Sequence, residues 1–225
     1  MEEQHSEEPK TIKEPRRRWF QVSLRMFLLL IAFASVGFGW LGYKVMQARE
    51  QQQAVKAILM LGGDVVYDVE YDVNDFFIRT TPRTTWYRTL FGIDLFHTVN
   101  EVSIPNDVRD LTDTDLVILK AFPKIRRLEI LSRSVTDDGL IYLGNLNEVG
   151  WLVLRFPKVT NAGLVHLEGM TNLRNLDLRC PKVTDAGLVH IQRLTNLKVF
   201  CRANTQITDD GIDHLIKMKP GLVID

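Results

Sequence analysis

One phrase returns every 24 residues: TDTDL at Thr112, TDDGL at Thr136, TNAGL at Thr160, TDAGL at Thr184 and TDDGI at Thr208. A constant period of this length, without insertions between the phrases, restricts the chain to a stack of one supersecondary unit. A single coil would leave both ends of its apolar stripe wet, whereas neighbours close a continuous core. Such a stack is built to present a surface.

The unit is clearest from Thr160 to Val183. Leu164, Leu167 and Met170 recur at three-residue steps, placing them on one face of a short helical segment. Leu176 and Leu178 alternate with Asn175, Asp177 and Arg179, the two-residue period of a strand. Leu140, Leu143, Leu146, Val149, Leu152 and Leu154 repeat the register upstream, and Leu188, Ile191, Leu194, Leu197 and Phe200 repeat it downstream. The threonines suit helix N-caps, and Asp137, Asp185 and Asp209 suit a first helical turn. Gly139, Gly163, Gly187 and Gly211 mark close backbone approach. Arg202 falls in the inward row of Ile130, Leu154 and Leu178, where the expected outcome is a relaxed last coil whose arginine reaches solvent.

From Val102 onward this pattern resembles the leucine-rich repeat family, in its short bacterial 24-residue form ending in V/ITDxGL. The resemblance implies an α/β solenoid, with a curved parallel sheet on the concave side and helices on the convex side. Where the family usually places asparagine after the strand, this chain has Arg133, Pro157, Pro181 and Thr205, so the turn must satisfy its backbone groups differently.

The first residues are different material. Residues 1–18 read as a disordered cytoplasmic tail, and Arg16, Arg17, Arg18 and Arg25 flank an apolar stretch from Met26 to Tyr43. Eighteen residues at about 1.5 Å each reach roughly 27 Å, close to a membrane core. Residues 19–43 are therefore read as one transmembrane anchor, with Trp19, Phe20, Trp40 and Tyr43 at the interfaces. The basic cluster before the span puts the N-terminus in the cytoplasm of a bacterial inner membrane and the C-terminal domain outside. Ala32-Phe33-Ala34 offers a rival cleavage site, but cleavage would discard the apolar Phe38 to Tyr43 continuation.

Residues 44–100 read as a juxtamembrane helix and a small α/β cap over the open first coil, and residues 101–225 as the repeats. The helix offers Val45, Ala48, Val55, Ile58 and Leu59 as its apolar face and stops at Gly62-Gly63. Asp64 to Asp72 alternates as a strand, RTTPRTTW is a loop, and Trp86 to Val99 suits an amphipathic helix. The arginine-rich start, apolar anchor, glutamine-rich helix, LGGDVVYD and the segment ending in EVSI resemble membrane-anchored repeat proteins of planctomycete-like bacteria.

Chemistry is hard to place. His166, His190 and His214 repeat at 24, yet neighbouring helices stand roughly 8–10 Å apart, and a zinc needs each nitrogen near 2.1 Å, so they read as surface or packing residues. Asp64, Asp68, Glu70, Asp72 and Asp75 lack a calcium-loop pattern. No phosphate-binding glycine loop, HExxH or GxSxG occurs, and Cys180 and Cys201 are expected about 11 Å apart as free thiols. The expectation is neither an enzyme nor a cofactor protein. Equal numbers of basic and acidic residues, 28 each, give no nucleic-acid footprint.

The concave strand positions remain: Arg127, Trp151, Asn175 and Val199 in one row, Glu129, Val153, Asp177 and Cys201 in the next, then Leu131, Arg155, Arg179 and Ala203. Tryptophan and arginine are the residues on which interfaces depend most. Arg127, Glu129, Trp151, Val153, Arg155, Asn175, Asp177 and Arg179 are therefore the candidate protein-binding residues, with Trp151 and Val153 as an exposed centre. The function read from the sequence is a membrane-anchored protein-binding module, and the alternative is an envelope spacer without a concave ligand.

Overall fold

The computed structural model describes residues 24–68, 97–105 and 110–225 and divides the chain into two units, one ending at Gly42 and one running Tyr43–Asp225. The first unit is the apolar part of helix α1 (Leu24–Met60). Its apolar window has a mean hydropathy of 1.9, and none of it is covered by protein. Phe33 and Phe38 are among the most exposed side chains of the molecule. Helical structure satisfies every interior backbone group without water, so a bare apolar helix of this length can cross a membrane. The expected interface residues Trp19 and Phe20 lie outside the described residues.

The second unit begins with the rest of α1. Ala54, Val55, Ile58 and Leu61 join the core, whereas Leu59, expected on the same face, points to solvent. Gly62 ends the helix at φ +76°, and the Gly63 and Gly62 amides donate to the Ile58 and Leu59 carbonyls. This left-handed stop frees the chain to reverse into β1 (Asp64–Tyr67), which pairs antiparallel with β2 (Val99–Ile104). The helix expected from Trp86 to Val99 is not formed at its end, since His97 and Thr98 are not helical and Val99 opens a strand; residues 86–96 lie outside the described residues. The strand expected to Asp72 is described only as far as Tyr67, and the RTTPRTTW loop is also outside.

From β2 onward the sheet is parallel: β3 (Arg127–Leu131), β4 (Trp151–Arg155), β5 (Asn175–Leu178), β6 (Val199–Cys201) and β7 (Val223–Ile224), in sequence order. Trp151 lies opposite both Arg127 and Asn175, so the 24-residue period is the sheet register itself. Between β2 and β3 the step is two residues longer, with Glu101 opposite Arg127. The result is a mostly parallel sheet alternating with short helices, a repeat-like α/β architecture.

The returning segments are mainly 3-10 turns, at Asp113–Ala121, Asp137–Tyr142, Gly163–Leu167 and Asp185–Gly187. Three residues per turn align the Leu164, Leu167 and Met170 steps on one buried face. The last coils use α-helices, α2 (Leu188–Gln192) and α3 (Asp209–Met218). Leu128, Leu152, Leu176 and Phe200 from the strands share one continuous core with Leu140, Leu164, Leu188 and Ile212 from the returning segments.

The recurring phrase forms a seam between coils. The Asp113 carboxylate accepts the Thr136 amide and hydroxyl, each at 2.7 Å. Asp137 does the same for Thr160, at 2.7 and 2.6 Å, and Asp185 for Thr208, at 2.8 and 2.7 Å. Asn161 replaces aspartate once: its oxygen accepts the Thr184 amide and its nitrogen donates to the Thr184 hydroxyl. Thr112, Thr136, Thr184 and Thr208 occupy cap positions, whereas Ala162 holds that place in the Thr160 coil; the Thr136, Thr160, Thr184 and Thr208 hydroxyls serve the preceding coil, and that of Thr208 also takes the Gly211 amide as a helix cap.

The same contact explains the glycine. A Cβ on Gly163 would stand 2.4 Å from Asp137 Oδ1, so the carboxylate fits only over bare backbone. The first repeat has Asp115 at that phase. Asp115 accepts the Thr112 amide at 2.9 Å and hydroxyl at 2.6 Å, within its own coil.

On the opposite turn Asn172 donates to the Asn147 carbonyl and Asn196 to the Thr171 carbonyl, a ladder outside the position where the sequence lacks asparagine. At the frayed end Arg202 neither enters the core nor extends freely into solvent. It holds the Ile207 carbonyl and pairs with Asp209. Lys219 donates to the Gln192 and Leu194 carbonyls at the C-terminal end of α2, where a cation complements the helix dipole.

Candidate binding surface

The strand alternation that buries Leu152 and Leu154 turns Trp151, Val153 and Arg155 to the other face. Trp151 is 42% exposed. The Arg127 guanidinium stacks 4.4 Å from its ring, and Arg127 Nε lies 3.1 Å from Glu101 Oε1 in an ion pair without hydrogen-bond alignment. Three consecutive strands therefore fix the tryptophan's surroundings.

Val153 does not share that exposure. It is only 6% exposed, between Glu129 and Asp177 in its row and Trp151 and Arg155 along its strand, all longer side chains. The exposed centre is therefore Trp151 alone, with Val153 as its floor. Asn175 is half-buried beside Trp151 and opposite Val199.

Asp177 on β5 and Arg179 just past its end form a forked pair, in which Arg179 Nε donates to the two carboxylate oxygens at 3.1 and 3.2 Å and Nη2 donates to Oδ2 at 2.9 Å. That hydrogen bonding, reinforced by charge, raises the Arg179 pKa despite desolvation. Arg155 differs. Its Nε is buried, with no hydrogen-bond partner. The register ladder stops at Leu178 and Cys201, so Arg179 and Ala203 extend past the strands as its rim.

The histidine row acts differently from a ladder. His190 Nδ1 lies 2.6 Å from Glu168 Oε1, and Arg193 reaches Glu168 Oε2 at 3.1 Å. The His190 hydrogen bond is the chief reason that the Glu168 carboxyl sits below its ordinary range. Glu168 has Gly144 and Gln192 at the same phase, so periodicity hid it. Among the described residues no group of three or more His, Cys, Asp or Glu is placed to hold a metal ion.

Cys180 is buried and Cys201 half-buried, both as free thiols. Concavities of about 380 and 360 Å³ lie elsewhere, one including Lys44, His97, Lys120 and Lys124, the other between α2 and α3. Neither includes a residue of the β3–β6 outer face. That face is open, suited to a broad ligand rather than an enclosed small molecule.

No protein-family model matches the chain, and no curated protein matches it in sequence. The surface itself must carry the functional argument.

Proposed function

We propose that this chain is a membrane-anchored protein-binding module of the leucine-rich repeat type, using the outer face of β3–β6. The observation that carries this reading is Trp151: a large aromatic side chain left 42% exposed at the centre of an ordered sheet and stacked by Arg127. Aromatic residues flanked by arginine supply area and directed hydrogen bonds at low entropic cost, the usual makeup of interface hot spots. In this reading the apolar part of α1 is its anchor in a bacterial inner membrane, and the basic residues before it support an orientation with the repeats outside the cytoplasm. The proposal includes no catalysis, cofactor or nucleic-acid ligand.

Crosslinked capture with the intact anchored protein tests the reading. Trp151→Ala and Arg179→Ala together should remove the captured protein while the variant stays folded; unchanged recovery would reject the concave site. Protease digestion of sealed inner-membrane vesicles and spheroplasts tests the orientation, and protection of the repeats in spheroplasts would reverse it. A spacer role is the second reading. It is favoured by β7, whose outer edge has no strand partner among the described residues and whose Val223 is exposed.

A further inference from the structure

Helix α1 meets the sheet at one particular end. Lys44 follows directly on Tyr43, the last residue of the apolar stretch. With Gln47, Glu50 and Gln51 it lines the concavity of about 380 Å³ whose other walls are the start of β2, from His97, and the Lys120–Lys124 segment ahead of β3. Gln51 donates to the His97 carbonyl at 3.0 Å. The far end of the helix reaches the other end of the strands: a Cβ on Gly63 would stand 2.8 Å from the Ser103 carbonyl oxygen, next to the last residue of β2. The rim where the strands start therefore adjoins the part of α1 that continues into the apolar stretch.

That rim is basic. Arg126, Arg174 and Lys198 immediately precede β3, β5 and β6, all exposed. Their backbones stack in one line: the Gly150 amide donates to the Arg126 carbonyl, Arg174 to Gly150, and Lys198 to Arg174. Exposed Lys120 and Lys124 continue the line to the concavity, where Lys44 joins them. Against these, the described residues of the rim set Glu50, Asp68 and Glu148, while Glu168 is already held by His190 and Arg193. The opposite rim, where the strands end, has the reverse balance. The five recurring phrases put seven aspartates there, against Arg133, Lys158, Lys182 and Arg202. Asp64 and Asp225 add to them, since β1 begins and β7 ends on that side.

We infer that the strand-start rim is a lipid-contact surface, and that its partner is the anionic phospholipid headgroup layer of the membrane that α1 enters. Depth selects this occupant. The stretch of α1 from Lys44 to Gln51 covers about 10 Å beyond the apolar end, and a headgroup layer is about 5–8 Å thick on each side of the hydrocarbon core. Charge agrees with it, because lysines and arginines beside a membrane are drawn to anionic lipid within a screening length. The anchor also makes the encounter intramolecular, so a weak attraction is enough to keep the rim occupied. The outer face of β3–β6 stays open to a protein partner, and the inference holds on either side of the membrane.

The test places the full chain in nanodiscs of phosphatidylcholine, or of phosphatidylcholine with about a third phosphatidylglycerol, and measures acylation rates of single lysines by mass spectrometry with a water-soluble amine reagent. Phosphatidylglycerol should slow Lys124 and Lys198 at least about threefold and leave the exposed Lys158 and Lys182 of the opposite rim within about 1.5-fold. The protection should disappear at about 0.5 M salt, where the screening length is only a few ångströms. Arg126→Gln with Arg174→Gln should at least halve the protection, whereas Arg126→Lys with Arg174→Lys, which keeps both charges, should retain it.

Equal rates in the two lipids, equal protection of both rims, or full protection in the glutamine variant would each overturn the lipid contact. Inorganic phosphate added to phosphatidylcholine discs separates a headgroup surface from a free-anion site: protection by phosphate alone would also overturn it. Unchanged rates at Lys158 and Lys182 in the variants exclude loss of fold as the cause. The result is independent of the outer face, which is read by crosslinked capture with Trp151→Ala.

Discussion

The seam between coils and the outer sheet face come from the same 24-residue repeat, yet they treat side chains in opposite ways. Along the seam, aspartate, threonine and glycine recur because each aspartate must meet the next threonine over a bare backbone. On the face one row runs Glu129, Val153, Asp177 and Cys201, with no shared chemistry. Periodicity marks where a coil touches its copy; variation marks where it faces something else. The Asp115 and Asn161 exceptions still hold a motif threonine, Asp115 within its own coil and Asn161 through both contacts, with only the bond to the Thr184 hydroxyl reversed in direction.

The sharpest way to break this contrast is Gly163→Ala. The new methyl group must displace the Asp137 carboxylate, 2.4 Å from its position, along with both bonds to Thr160. A loss of about 2–4 kcal/mol is expected from overpacking and two lost hydrogen bonds, measured by urea unfolding. A change below about 0.5 kcal/mol would show that the seam yields freely.

Next comes a graded pair at one residue. Asp137→Ala strands the Thr160 amide and should cost about 2 kcal/mol, whereas Asp137→Asn should cost less than about 1 kcal/mol because Asn161 already fills this role in the following coil. Equal losses would mean that charge, rather than paired hydrogen bonding, holds the seam.

The thiols offer a smaller contrast between interior and face. Burial pushes the Cys180 thiol up to about 11. Folding therefore favours its protonated form, a contribution present below about pH 9, the ordinary thiol value, and lost as pH rises from there toward 11. At pH 8 a maleimide should label half-buried Cys201 first and Cys180 only on unfolding; comparable native rates would contradict the packing. Cys180→Ser should flatten the alkaline slope.

The smallest effect on stability is expected at Trp151. Its removal should cost no more than about 1 kcal/mol, the scale of one exposed cation–π contact, although it should abolish partner capture. A larger stability loss would make the tryptophan a structural residue and remove the main support for the binding surface.

Much of the fold was legible because the strand and turn periods differ: Leu176 and Leu178 step by two, while Leu164, Leu167 and Met170 step by three. The helix stop at Gly62-Gly63 was legible for a similar local reason. The binding surface was only half legible. Alternation identified which residues face outward, but it could not give Val153 its shallow burial, or distinguish the satisfied Arg179 from the orphaned Arg155. Glu168 was invisible because its partner His190 belongs to the next coil, and no repeat copies the pair.

The sequence by itself determined the repeat length, the inward stripe and the apolar helix, since each is a periodicity or a run of hydrophobic side chains along one segment. Only the tertiary structure decided that the motif threonines bind the preceding coil's aspartates or, at Thr184, its asparagine, that Glu168 meets His190 of the next coil, and that Arg127 stacks on Trp151. Those facts depend on contacts between residues more than twenty positions apart, or on stacking the coils in one register. Local propensity specifies a segment's shape, but hydrogen-bond partners and charge balance exist only after the coils meet.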